Sequence, residues 1–421
     1  MSSQNQSFAI NRRDFIRALS LATCALALTP LELLADNSQI YSPTSLQSIP
    51  RPLELGTLLP NSIMYPGLSE NWLAGMNLYF RQAGGAPVSL LAQATPNRWR
   101  TDHALDLLAG IGGANVGLTI DHLSSANRSV FIANDAGANV IRHHEINSNI
   151  FHNSLGYWQA NTAMGKWAVQ QLGRRAFVAS AFYESGYDLL YAFQSGLENA
   201  GGQVAETFIA HVPPVANNLP DLISAIKRVQ PDFVYAFFSG TPAVDFIRAY
   251  ADSGLLNRIP LAGSAFLVDE MILPRLGDAA LNIYSGLSWS PTLQTVENQT
   301  FTTAFQQMTR RAPDGFAVLG YDTARWIAEA LNQVGGDLTQ MDRLREAFRA
   351  VRFSSPRGSF GFDSQTQTST TPLYLRQVQS QDGKLVNQVV GELESVSIND
   401  TRFTDLRAAQ RSGWTHAYLA V

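Results

Sequence analysis

The sequence predicts an α/β protein folded as two doubly wound lobes, and three observations carry that prediction. Short apolar runs of strand length alternate with amphipathic helical stretches along most of the chain. The order βαβαβ occurs twice, once before and once after about Ser154. A chain of 421 residues is also too long for one ordinary core, so more than one domain is expected.

The clearest unit spans Arg174 to Gly202. Ala176 to Ala181 is a continuous apolar run, as a strand buried on both faces requires. A polar loop with Tyr183, Glu184, Ser185 and Gly186 follows it. Leu190, Phe193, Leu197 and Ala200 then recur at helical spacing, Gly201 stops the helix, and a new strand starts at Gln203. The next unit repeats the logic. Asp232 to Phe238 is a buried strand, Ser239, Gly240 and Thr241 form its loop, and Pro242 opens a helix faced by Val244, Ile247 and Ala251 and ended by Gly254. Both loops lie at the carboxyl ends of strands, where open α/β sheets bind ligands.

The first lobe opens with a strand at Leu53–Leu59 and a loop from Pro60 to Pro66 that carries Tyr65. Ser69 is placed to cap a helix striped by Trp72, Met76, Tyr79, Phe80 and Ala83, a stripe read as core. A strand at Pro87–Ala92, a helix from about Thr101 to Ala109 and a strand at Asn115–Thr119 follow. The loop of that third strand holds Asp121, His122, Ser124 and Ser125. A fourth strand is expected at Asn139–Arg142, with His143, His144 and Glu145 in its loop. A helix from Trp158 to Leu172 opens the second lobe, and further strands are expected at Ile259–Ala262 and Asn282–Ser288. Beyond Pro291 the spacing predicts helices over Glu297–Thr309, Gly315–Gln333 and Met341–Val351. Strands at Gly358–Phe362 and Leu373–Gln379 come next, then a hairpin turn at Gln381-Asp382-Gly383 before Val386–Val390. Residues 396–421 carry no clear pattern.

Composition narrows the function. Only 15% of residues are charged, below the usual ~25%, the net charge is −4, and no Lys/Arg cluster dominates any segment. A nucleic-acid partner is excluded on that ground. The one cysteine, Cys24, lies in the N-terminal segment, so the rest of the chain has no thiol for a disulfide, cluster or nucleophile.

Residues 1–35 read as an export signal. Arg12 and Arg13 head the stretch NRRDFIR, which resembles a twin-arginine motif. Ala18 to Leu28 is apolar but shorter than the ~20 residues that span a bilayer. Cleavage after Ala35 is expected. Leu21-Ala22-Thr23-Cys24 also resembles a lipobox, but the apolar stretch between Arg17 and Cys24 is very short for one, and the non-lipidated reading is preferred.

No G-x-S-x-G elbow, P-loop or H-E-x-x-H motif is present. Gly110-Ile111-Gly112-Gly113 is read as following a helix and preceding a strand, the reverse of a dinucleotide loop. His143 and His144 are adjacent and point apart, so no metal site is expected there, and neither is a cofactor elsewhere. Asp188 is read as a helix cap.

Three segments, PDFVYAFFSGTPAVDFIRAYADSGL, GYDTARWIAEAL and SPRGSFGFDSQTQTSTTPLYLRQV, resemble type I periplasmic substrate-binding proteins of ABC transporters, in particular the branched-chain amino acid, amide and urea group. The resemblance runs from about Leu53 to Val390 as many diffuse segments in the right order. It implies two Rossmann-like lobes joined by three crossovers, near Ser154, Pro291 and Gly358, with a small ligand held between them by hinge closure. Lobe 1 would comprise 52–154 plus 291–356, and lobe 2 would comprise 155–290 plus 357–395.

On that resemblance the chain is no enzyme but the solute-binding component of an importer, periplasmic, with permease and ATPase subunits as partners. The site residues it implies are Ser124 and Ser125 for a carboxylate and Tyr183 and Ser185 on the closing loop. Ser239, Gly240 and Thr241 come from the next loop, with Tyr65 after the first strand. His144 and Glu145 stand where relatives carry small residues. Ala265 stands about where amino-acid-binding relatives place an acid for the ammonium. Either Glu145 or Glu184 takes that role, or the ligand lacks an amine; the second is preferred, which brings amides, carboxylates and aromatic acids beside Leu, Ile and Val. A ligand sensor of the same fold and an exported α/β enzyme are the alternatives.

Overall fold

The first sheet begins with five parallel strands, β1 (Leu53–Leu58), β2 (Val88–Gln93), β3 (Leu107–Ile111), β4 (Val130–Asp135) and β5 (Ile150–Ser154), in the order β5-β4-β3-β1-β2. The computed structural model describes residues 52–62, 65–84, 88–93, 105–112, 129–140, 146–211, 215–396 and 418–419. These lie within one compact unit, Tyr41–Val421. β3 is buried at all five positions, as a central parallel strand must be. Helix α1 (Leu68–Gln82) covers one face with Trp72, Met76 and Tyr79.

The second sheet repeats the first. Its strands β6 (Arg175–Ala181), β7 (Gln203–Ala210), β8 (Phe233–Phe237), β9 (Leu261–Ser264) and β10 (Tyr284–Leu287) run in the order β10-β9-β8-β6-β7, all parallel. Each sheet therefore reverses strand order at its first strand, which puts a ligand-binding switch point at the carboxyl ends of β1/β3 and of β6/β8. Helices α2 (Tyr157–Gln171), α3 (Phe182–Ser185), α4 (Leu189–Asn199), α5 (Leu219–Val229), α6 (Gly240–Asp252) and α7 (Leu273–Leu276) flank it.

The chain then returns to the first lobe with α8 (Val296–Thr309), α9 (Gly315–Gln333) and α10 (Met341–Ala350), followed by β11 (Phe353–Ser355), β12 (Gly358–Asp363) and β13 (Thr368–Thr370), which extend the first sheet beside β5. The hairpin β14 (Leu373–Gln381) and β15 (Lys384–Leu393) completes the second sheet against β10. Its turn uses Asp382 at φ 50° and Gly383 at φ 73°, the left-handed pair a two-residue hairpin needs. Three connections link the sheets: from β5 to α2, from β10 to α8, and the two residues between β13 and β14.

Each lobe is braced by a helix pair packed backbone to backbone. A Cβ on Gly75 of α1 would stand 1.9 Å from the Ala317 carbonyl oxygen of α9, and one on Gly320 would stand 1.9 Å from that of Trp72. In the second lobe a Cβ on Gly196 of α4 would stand 1.9 Å from the Thr162 oxygen of α2, and one on Gly165 would stand 2.3 Å from the Phe193 oxygen.

Several expectations are corrected. Leu107–Ala109 is strand rather than helix, because a short apolar run does not reveal its period. Gly110 accordingly lies inside β3, where a Cβ would come within 2.3 Å of the Leu58 oxygen. The fourth strand is Val130–Asp135 and not Asn139–Arg142; Asn139 and Val140 are irregular and Arg142 lies outside the described residues, as does the expected strand Asn115–Thr119. β5 was not anticipated, since His152, Asn153 and Ser154 are polar. Gly67, not Ser69, is the N-cap of α1, and the Ser69 hydroxyl donates to the Pro60 carbonyl at 2.5 Å. The loop at Tyr183 is one helical turn, α3. The third connection falls at residues 371–372 rather than near Gly358, because β12 and β13 pair into the first sheet.

One buried charge organises the connections. Arg357 and Asp322 are both fully buried; Arg357 Nε donates to Asp322 Oδ2 at 2.7 Å. Its two other nitrogens donate to the Ser154 carbonyl at 2.7 Å and to Asn153 Oδ1 at 2.6 Å, at the end of β5. Tyr374, just past the third connection, donates its hydroxyl to the Arg357 carbonyl at 2.9 Å.

Candidate functional site

The loops at the carboxyl ends of the two sheets meet. Tyr65, after β1, donates its hydroxyl to Asp269 Oδ1 at 2.5 Å, and Asp314 Oδ2 lies 3.4 Å away. Asp269 comes from the second lobe, after β9, and Asp314 caps α9 of the first by accepting from the Ala317 N–H at 2.8 Å. Burial drives the Asp314 carboxyl up to about 6, and burial together with Glu270 and Asp314 raises Asp269. On the other flank the Val140 N–H donates to Asp188 Oδ2 at 3.0 Å, and the Asp188 N–H to Asn139 Oδ1 at 3.2 Å. Asp188 is the N-cap residue of α4, but its carboxylate is spent across the lobes rather than on the helix.

Between these bridges lies an aromatic enclosure with a polar floor. The Phe266 ring, after β9, sits 6.0 Å from Tyr65, 6.1 Å from Phe316 and 5.1 Å from Tyr157. Tyr183 and Tyr187 pack edge to face at 5.4 Å. Glu184 of α3 is fully buried, and the Ser239 hydroxyl donates to its Oε1 at 2.6 Å instead of capping α6. Burial raises the Glu184 carboxyl to about 7 against the opposing effect of that bond. Its Oε2, the Tyr157 and Tyr418 hydroxyls and the Ser264 hydroxyl are all buried. They neighbour one another closely enough that Glu184 and Tyr418 both act on Tyr157, with Ser264 beside them. Polar groups clustered among rings in this way suit a small ligand that carries both a ring and hydrogen-bonding groups.

The residues singled out in the sequence fall differently. Tyr65, Tyr183 and Ser239 reach the enclosure, and Glu184, named there only as an alternative, is its central carboxyl. Ser185 instead donates to the Phe182 carbonyl at 2.7 Å. Gly240 opens α6 at φ 57°, and exposed Thr241 faces Arg275 at 3.5 Å. Ala265 is buried, with its carbonyl accepting from Arg376 at 3.2 Å; the buried acid of this segment is Asp269, already held by Tyr65. Ser124, Ser125, His144 and Glu145 lie outside the described residues. Sequence reasoning passed over Tyr157, Ser264, Asp269, Asp314 and Tyr418; only their distance along the chain hides them. Among the described residues no group of three His, Cys, Asp or Glu is placed to hold a metal ion, and no helix is long and apolar enough to cross a membrane.

Two doubly wound lobes closing over a small polar and aromatic chamber define a ligand-binding protein of the two-lobed type. Residues 66–384 match the periplasmic binding protein family, and the chain belongs to it. It is 27% identical over 250 residues to Leu/Ile/Val-binding protein homolog 6 of Brucella melitensis, a match covering 58% of this chain and 63% of that protein, so it spans less than two thirds of that relative's length. An ABC transporter substrate-binding protein from Sphaerobacter thermophilus superposes with a TM-score of 0.76 at 28% identity, covering 82% of this chain and 98% of that one. A solute-binding protein from R. palustris, solved in complex with benzoate, gives 0.71 at 28% identity over the same shares.

Proposed function

We propose that this chain is the solute-binding component of an ABC importer and that it captures a small aromatic carboxylate between its lobes. The observation that carries the reading is the chamber itself: rings from both lobes around Glu184, Tyr157 and Ser264, with hydroxyl and carboxyl groups as the polar contacts. No acid stands at Ala265 to receive an ammonium. The likeness to a benzoate-bound relative supports the same class. Its partners in this reading are permease and ATPase subunits, its compartment is the periplasm, and its route is the twin-arginine signal. Exchange of Arg12 and Arg13 for lysine would then leave precursor in the cytoplasm on cell fractionation; normal export would remove that route.

Glu184 also supports a second reading, an amine ligand that pairs with its carboxylate, and pH separates the two. A carboxylate ligand is repelled once Glu184 ionises, so its affinity falls as pH rises through about 7, by up to about tenfold per pH unit. An amine ligand gains affinity over the same interval. Calorimetric titration at pH 6 and pH 8 with benzoate, 4-hydroxybenzoate, leucine, valine, small amides and urea is the test. Tighter binding of an aromatic acid at pH 6 is expected; tighter binding of leucine or valine at pH 8 would replace this reading by the second.

A further inference from the structure

The ring at the centre of the chamber belongs to the chain itself. Tyr418, far beyond β15 in sequence, is 1% exposed, and Leu419 is fully buried. Four rings of the second lobe surround it: Tyr187 at 5.1 Å, Tyr157 at 5.2 Å, Phe266 at 5.4 Å and Tyr183 at 6.0 Å. The Leu419 N–H donates to the Tyr183 hydroxyl at 3.2 Å, which fixes the backbone at the rim.

A tyrosine built into a core normally finds a partner for its hydroxyl. Tyr418 finds its neighbours on the polar floor itself, with its hydroxyl beside Tyr157, Ser239 and Glu184. It packs ring against ring in the enclosure and sets its hydroxyl on the polar floor. A free ring carrying a carboxylate or a hydroxyl could use the same rings and the same polar groups. We propose that Tyr418 is an internal occupant of the ligand site, a phenol that holds the place until a free single-ring aromatic acid displaces it. The proposal rests on the reading of this chamber as the ligand site.

An occupant of this kind divides the apparent affinity by the fraction of molecules in which it has left. In the full-length chain, Tyr418→Ala is therefore expected to bind 4-hydroxybenzoate on the order of tenfold more tightly than the unaltered protein, by calorimetry at pH 6. A second measurement needs no truncation of the side chain. With 3-fluorotyrosine at position 418, the ¹⁹F resonance should sit away from that of free fluorotyrosine and move toward it as 4-hydroxybenzoate is added. Equal or weaker binding by Tyr418→Ala, with the resonance unmoved at saturating ligand, makes Tyr418 a core residue and overturns displacement alone. A resonance at the free position before any ligand is added overturns the occupancy. A shifted resonance with no binding by either protein, across the aromatic acids tested, overturns the ligand-site reading and displacement with it.

Discussion

Replacing Arg357 by methionine is expected to destabilise the protein by about 3–5 kcal/mol, a large part of the ~5–15 kcal/mol that holds a typical domain folded. The loss is that large because Arg357 and Asp322 are both fully buried. Without the guanidinium, Asp322 keeps the Ser355 hydroxyl, at 2.8 Å to each of its oxygens, and the Ser154 carbonyl and Asn153 Oδ1 each lose the guanidinium as a donor. Burial already raises the Asp322 carboxyl above its ordinary value, with Arg357 as the main opposing influence. In the variant that opposition is gone, so the folded protein binds a proton more readily than the unfolded chain. The sign follows: the deficit is full near neutral pH and shrinks as pH falls through the raised folded value toward the unfolded ~3.9. Urea denaturation at pH 7 and pH 5 measures both. A deficit under about 1 kcal/mol, or one unchanged between the two pH values, would contradict this account of the pair. Converting Asp322 to leucine in the same variant should recover much of the loss, because paired buried charges can be exchanged for apolar groups at little net cost.

Gly320→Ala sets two magnitudes against each other. In a helix interior alanine is favoured over glycine by about 1 kcal/mol, so propensity alone predicts a gain. Packing predicts the reverse, since the new Cβ would stand 1.9 Å from the Trp72 carbonyl oxygen. Backbone cannot rotate out of the way as a side chain can, and α1 and α9 must separate. Overpacking of this kind costs about 1–3 kcal/mol and at times more, and a backbone clash belongs at the upper end. The net expectation is a loss of about 2 kcal/mol or more, read as a lower urea midpoint with an unchanged slope. Gly196→Ala should behave alike in the second lobe, where the Cβ would meet the Thr162 oxygen at 1.9 Å. A gain in stability at either position would show that the helices give way easily.

The parts of this fold legible in the sequence are those whose side chains all face apolar surroundings. β8 is an unbroken apolar run, and β6 is apolar but for Arg175 and Ser180, because helices cover both faces of their sheet. β5 escaped because its last three residues are polar: Asn153 is buried against Thr323 at 2.9 Å and the Leu319 carbonyl at 3.1 Å, partners far along the chain. The hairpin at Asp382-Gly383 was legible because its turn geometry is local. The site divides in the same way. Ser239 and Glu184 stand out as polar residues at strand ends, but their 2.6 Å bond joins loops 55 residues apart. The Tyr65–Asp269 bond joins residues 204 apart in different lobes, and no local pattern signals it.

That last bond, and the Asp188 bridge on the opposite flank, join the two lobes through protein groups alone. If the lobes hinge as proposed, these bonds bias the balance between shut and open molecules. A bond of about 1 kcal/mol changes the ratio of shut to open molecules by about fivefold, and the observed dissociation constant follows that ratio directly when the shut form is rare. On the proposed reading, affinity is tuned in part by bonds between the lobes, and two proteins with identical chambers could serve scarce and abundant supplies by differing only in those bonds.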